Sequence, residues 1–233
     1  MRIVFTPDWF LGHDVLIDVF SFIILFLFFL FSIKGYRLNK NKRLLYLGVG
    51  FLLISLAELS VILTKFAIFY DTTLTQSIGG LIITYKVVNS LDIIYYLGFF
   101  FNRLFTLAGL YIIYKLPLKK LSGDIILVTY FIIIASFMFH QFYYLYHLTA
   151  LIFLALIIRN YINVYLKNKL VNTKIFIIAM SLLAISQVMF VFSKISYLYV
   201  TSQIIQLISY ITLLILIIKI TKNGKTKQVK HNL

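Results

Sequence analysis

The chain has 233 residues, 62% of them hydrophobic and 12% charged, with a formal net charge of +15. That leaves too little polar surface to cover a water-soluble domain, so lipid must solvate most of the chain. With no cysteine, disulfides, thiolate catalysis and Cys-ligated metals are excluded.

Met1 to Phe10 contains no basic run, and no small-residue cleavage pattern follows, so no signal peptide is expected. Trp9 and Phe10 read as interfacial anchors ahead of the first span. A bilayer core about 30 Å thick needs roughly 20 apolar residues per helix. Seven stretches qualify: 13–34, 44–66, 93–115, 124–141, 142–160, 174–194 and 198–219. Between the second and third, Asp71 to Ser77 reads as a loop. Ile78 to Val88 is apolar but too short to span, and is expected to be an interfacial or re-entrant piece.

Charge orients these spans. Seventeen of the 22 Lys and Arg residues fall on one side. They are Lys34, Arg37, Lys40, Lys42 and Arg43; Lys115, Lys119 and Lys120; Arg159, Lys167, Lys169 and Lys174; and Lys219, Lys222, Lys225, Lys227 and Lys230. Asp8, Asp14, Asp71 and Asp92 lie on the other. Short basic loops stay cytoplasmic, which places the N-terminus outside and the C-terminus inside. The fold class is therefore all-α: an integral bundle of seven transmembrane helices, multi-pass in the cell membrane. Anionic lipid headgroups at the cytoplasmic face explain the positive charge better than nucleic acid, which is not an expected partner.

Shifting the chain by 129 residues lays the first two spans on the fifth and sixth without a gap. Tyr36 meets Tyr165, Asn39 meets Asn168, Lys40 meets Lys169 and Lys65 meets Lys194. Asp18 falls on His147 and Glu58 on Gln187. Allowing for the longer outer loop, Tyr95, Asn102 and Lys115 meet Tyr199, Gln206 and Lys219. This predicts two parallel three-helix units, 13–115 and 142–219, with 124–141 as linker helix and 220–233 as a basic cytoplasmic tail. The three-plus-one-plus-three plan resembles SWEET and PQ-loop carriers in architecture, and seven-helix rhodopsins share its outline. The likeness stops there: the Pro-Gln pair is absent, and Lys219 lies at the end of the last span, where no retinal Schiff base would form.

At 1.5 Å per residue, Glu58 lies roughly 21 Å above the basic anchor of its helix and Arg103 about 18 Å above Lys115. Asp18, His147, Gln187, Gln203, Gln206 and His140 fall at roughly 18 to 24 Å by the same measure. Asp14, Asp18 and Ser21 share one face; so do Ser55, Glu58 and Lys65, then Gly98, Asn102, Thr106 and Gly109, and finally Tyr199, Gln203, Gln206 and Tyr210. Polar stripes avoid lipid, so these faces should turn inward and form a chamber in the outer half above an apolar floor. An ion pair between Glu58 and Arg103 is expected, because a lone charge at helix centre costs on the order of 3 kcal/mol. Lys65 and Lys194 are expected to snorkel to the outer headgroups. Asp18 could be neutral, or could pair with Arg103 or Lys65.

The candidate ligand- or coupling-ion-binding residues are Asp18, Glu58, Asn102, Arg103, His140, His147, Gln187, Gln203 and Gln206. His13, His140 and His147 lie toward the outer face, but no two stand at i and i+4. Hence neither a metal, nor another cofactor, nor enzymatic activity is expected, a metal-dependent intramembrane hydrolase being the minor option. The leading function is transport of a small polar solute. The alternative is a receptor-like sensor acting through a separate cytoplasmic signalling partner, with a homo-oligomer as a further option. Packing glue alone is the structural alternative.

Overall fold

Long apolar runs with few Gly or Pro residues fold as long helices, and a computed structural model of the chain is all-helical. It describes residues 7–10, 12–74, 81–117, 125–137 and 143–231. After a 3-10 turn at Asp8–Phe10 come α1 (His13–Asn39), α2 (Lys42–Leu74), α3 (Leu81–Lys115), α4 (Ile125–Phe137), α5 (Tyr143–Asn168), α6 (Val171–Val191) and α7 (Ser196–His231). Six of these are long and apolar enough to cross a membrane, all but α4. The protein is thus a multi-pass helical membrane bundle. The fourth expected span, 124–141, is described as a helix only over 13 residues, about 20 Å of rise.

The region 71–92 departs from expectation. The α2 helix continues to Leu74 and α3 begins at Leu81, so the run from Leu81 to Val88 is the start of a continuous helix rather than a separate re-entrant piece. No Gly or Pro lies between Leu81 and Leu97 to interrupt it. At 33 and 35 residues, α2 and α3 are each about 50 Å long and exceed the hydrocarbon thickness.

Two short connections set the hairpins. Lys40 (φ 51°) ends α1, and its N–H donates to the Tyr36 carbonyl at 2.7 Å. Lys169 (φ 47°) ends α5, and its N–H donates to the Tyr165 carbonyl, also at 2.7 Å. Both are left-handed C-terminal turns, the geometry that reverses a helix within two or three residues.

Helix contacts close a ring. The α1 helix packs on α2, α2 on α3, α3 on α5, α5 on α6, α6 on α7, and α7 returns to α1, while α4 lies against the junction of α3 and α5. Small residues bring α2 close to its neighbours. A Cβ at Gly109 on α3 would stand 2.6 Å from the Gly50 carbonyl oxygen on α2, and one at Gly48 would stand 2.8 Å from the Ser32 Cβ on α1. Such close approach is how membrane helices gain dispersion energy without a hydrophobic driving force.

One stripe of α1 is buried along its length: Asp14, Asp18, Ser21, Leu25, Phe28 and Ser32. Its carboxylates, Asp14 and Asp18, lie toward the start, Leu25 and Phe28 lie further along, and Ser32 stands nearest the basic end. Leu25, Phe28, Phe51, Ile54, Leu107, Leu110, Leu154, Ile157, Met180, Leu213 and Ile217 fill one continuous core. Phe28 and Phe51 meet there with ring centroids 4.2 Å apart.

Candidate functional site

The polar layer lies on the N-terminal side of that core as read along α1. In the first turn of α1, Asp14 Oδ1 accepts from the N–H groups of Gly12 and Val15, at 3.1 and 2.9 Å. Its other oxygen lies 2.8 Å from Lys65 Nζ, and Asp18 Oδ2 lies 2.5 Å from the same nitrogen. Residues 14 and 18 are one helical turn apart, so both carboxylates face α2 at one height. Lys65 thus bridges two carboxylates on α1, each of them buried to within a few per cent. Lys194, at the position that pairs with Lys65 in the sequence, lies in the turn beyond α6 and is exposed.

Glu58 stands roughly two turns from Lys65 on α2. Its Oε1 accepts from Gln206 Nε2 at 3.0 Å and from the Tyr210 hydroxyl at 3.2 Å. Gln206 Nε2 also donates to the Tyr210 oxygen at 3.0 Å. Since α2 and α7 are not neighbours in the ring, these bonds cross its interior. Glu58 is 7% exposed, and it lies close enough to Asp18 and Lys65 to interact electrostatically.

The expected Glu58–Arg103 ion pair is not formed. Among the described residues the ion pairs are those of Lys65 with Asp14 and Asp18. The pair is expected from equal depth, and depth carries no information on azimuth around the helix. Arg103 is buried and turned toward α5, with its guanidinium carbon 5.2 Å from the centre of the Tyr146 ring. Asn102, the residue before Arg103, donates from Nδ2 to the Ala57 carbonyl at 3.0 Å and so ties α3 to α2.

In the other half, His147 Nδ1 and Gln187 Oε1 are 2.9 Å apart and join α5 to α6. The imidazole stacks on Phe190 at 5.2 Å between centroids, and Phe190 meets Tyr199 edge-on at 5.9 Å. Gln203 Nε2 contacts the Tyr199 hydroxyl on its own helix at 3.4 Å. At the rim, Trp9 packs against Tyr197 at 6.5 Å and Phe10 stacks on His13 at 6.0 Å.

Of the nine predicted site residues, Asp18, Glu58 and Gln206 therefore belong to an interior network spanning α1, α2 and α7. Arg103, His147 and Gln187 make further links on α3, α5 and α6. Asn102 is a helix lock and Gln203 is local to α7. His140 lies outside the described residues. The Asp18–Lys65 pair is one of the pairings expected for Asp18, and Asp14 joins it; Tyr146 is the residue that sequence reasoning missed altogether. Tyr146 directly precedes His147 and stands three residues after Tyr143, and among so many tyrosines its burial leaves no distinct signal. Among the described residues, no group of three His, Asp or Glu side chains could hold a metal ion.

Chemically, the layer offers carboxylates, amides, phenols and a guanidinium in a setting that excludes bulk water. It can hold a proton, or a small solute able to replace the internal hydrogen bonds. No family description, curated protein or solved structure matches this chain.

Proposed function

We propose that the chain is a small-solute transporter, oriented with its N-terminus outside, whose polar layer is the substrate or coupling-ion site. The observation that carries this reading is the Glu58 carboxylate. It is buried, it takes its hydrogen bonds from α7 across the ring, and it has no cationic partner in ion-pair contact among the described residues. A buried carboxylate of this kind changes charge state or partner when a proton or a cationic group arrives, and intramembrane ionisable residues mark such pathways.

The helix order supports the two-unit plan. One unit is α1, α2 and α3, the other α5, α6 and α7, with α4 outside the ring. The two junctions between units, α3 with α5 and α7 with α1, correspond to one another when α1 is matched to α5 and, allowing for the longer outer loop, α3 to α7. Glu58 on the first unit is bonded to Gln206 and Tyr210 on the second. Rocking of one unit against the other would break and remake these bonds, as alternating access requires.

A receptor-like sensor is the second reading, and the continuous apolar packing below the layer favours it. Counterflow in proteoliposomes separates the two. Loaded with a panel of labelled amino acids, sugars and organic cations, vesicles with the native chain should exchange at least one solute, and Glu58→Gln should abolish that exchange while the protein stays folded. Exchange unchanged in Glu58→Gln, or no exchange of any solute, would contradict the proposal.

A further inference from the structure

At the basic end of the bundle, α2, α3 and α5 do not pack to closure. A cleft of about 170 Å³ opens there, lined by Asn41, Arg43, Leu44, Leu47, Leu116 and Tyr161, with Pro117 and Val164 completing its wall. Its lining mixes two chemistries. Leu44, Leu47, Leu116 and Val164 are its apolar lining, while Asn41, Arg43 and Tyr161 bring an amide, a guanidinium and a phenol to the same cleft.

The cleft is electrostatically unbalanced. The Arg43 side chain makes neither an ion pair nor a hydrogen bond among the described residues; only its backbone N–H is engaged, donating to Asn41 Oδ1 at 3.0 Å. The first turn of α2 contains no acidic residue, although the N-terminus of a helix carries partial positive charge and favours anions. Arg43 therefore adds a full positive charge to a helix end that is already positive. Arg43 also lies near enough to the Tyr161 phenol to interact with it.

A cation beside an apolar lining, where helices leave the hydrocarbon, is complementary to one kind of molecule: an anion attached to a hydrocarbon chain. We infer that this cleft is a specific site for an anionic phospholipid. Its phosphate would meet Arg43, with Asn41 and the Tyr161 hydroxyl as further donors, and an acyl chain would run along Leu44, Leu47 and Val164. Guanidinium groups bind phosphate with two parallel hydrogen bonds, so Arg43 would supply specificity as well as charge. The site is separate from the polar layer and does not depend on the transport reading. A lipid there would wedge the junction of α2, α3 and α5, where the two proposed units meet.

Native mass spectrometry of the full chain in a mild detergent tests this. Phosphatidylglycerol, phosphatidylcholine and inorganic phosphate are titrated in turn. The native chain should retain one phosphatidylglycerol at a concentration at which phosphatidylcholine is lost. Arg43→Ala should weaken that retention at least fivefold, and Arg37→Ala, an exposed basic residue outside the cleft, should leave it unchanged. Val164→Trp, which fills the cleft but keeps the charge, should weaken it too. Equal retention by native chain and Arg43→Ala would overturn the proposal. So would equal losses in Arg43→Ala and Arg37→Ala, which would mean diffuse charge attraction. Inorganic phosphate competing fully with the lipid, with Val164→Trp indifferent, would overturn it in favour of a free-phosphate site.

Discussion

Lys40 and Lys169, exactly one 129-residue shift apart in the sequence, adopt the same left-handed turn, with φ of 51° and 47°. Each donates its N–H to the carbonyl four residues earlier, at 2.7 Å in both cases. They are the non-glycine residues with positive φ among those described. The parallel is the strongest support for two units of common plan. A lysine in this region costs roughly 1 kcal/mol relative to glycine. Lys40→Gly and Lys169→Gly should therefore each raise stability by a similar amount, about 1 kcal/mol. Lys34→Gly, inside α1, should lower it by about 1 kcal/mol. Thermal unfolding of the purified protein in detergent checks all three, and opposite signs for Lys40 and Lys169 would count against the shared plan.

The bridge from Lys65 to Asp14 and Asp18 makes a sharper stability prediction. Removing the ammonium leaves two buried carboxylates facing each other one turn apart. Lys65→Met should destabilise by about 3 kcal/mol, the usual cost of breaking a buried pair by deleting one partner. Adding Asp18→Asn to Lys65→Met should recover part of the loss, because it removes one of the stranded charges. A double-mutant cycle on unfolding temperatures measures this coupling. Independent, additive losses would mean that the bridge is not formed.

Glu58 separates structure from function. In Glu58→Gln the side-chain carbonyl can still accept from Gln206 and Tyr210, so stability should change by less than about 1 kcal/mol. Glu58→Leu strands both donors and should cost about 1–3 kcal/mol. If the layer were packing glue alone, the two variants would differ in stability but neither would alter a transport or binding readout beyond what stability explains.

Close helix approach gives a fourth test. A methyl at Gly109 would stand 2.6 Å from the Gly50 carbonyl oxygen, a backbone atom that cannot turn aside. Gly109→Ala should therefore force α2 and α3 apart and cost about 1–3 kcal/mol. At Gly35 the nearest neighbour is the Leu44 side-chain Cδ1, at 3.3 Å, which can rotate. Gly35→Ala should be near neutral or stabilising, since alanine is the better helix former. Paired melting curves decide between them.

Much of the architecture is legible in the residues because hydropathy and basic loops are one-dimensional signals. The existence of the six long apolar helices follows from them; the tight turns at Lys40 and Lys169 do not, because helices α1 and α5 run on past the apolar stretches that define the expected spans. Depth along a helix is also one-dimensional, and Asp18, Glu58, His147, Gln187 and Gln206 do each meet a polar partner. Partner choice is not. Glu58 and Arg103 share an expected height, yet Glu58 turns to α7 and Arg103 to Tyr146 on α5, because helix rotation is set by packing such as Gly50 against Gly109. Asp18 has both Arg103 and Lys65 as possible partners in the sequence; the placement of α1 beside α2 selects Lys65 and adds Asp14 to it. The helical start of α3 escaped notice because an eleven-residue apolar run has the same composition whether it stands alone or continues a longer helix.

The most direct test of the transport reading uses the cysteine-free sequence as it stands. Gln206→Cys, Leu213→Cys and Ile204→Cys are each reconstituted in one orientation and treated with a membrane-impermeant methanethiosulfonate reagent from either face. Gln206 lies in the polar layer, Leu213 in the apolar core, and Ile204 faces outward from the bundle. Alternating access predicts that Gln206→Cys is modified from both faces, and that Ile204→Cys, in lipid, is modified from neither. Modification of Gln206→Cys from the outer face alone, or from neither face, would contradict it.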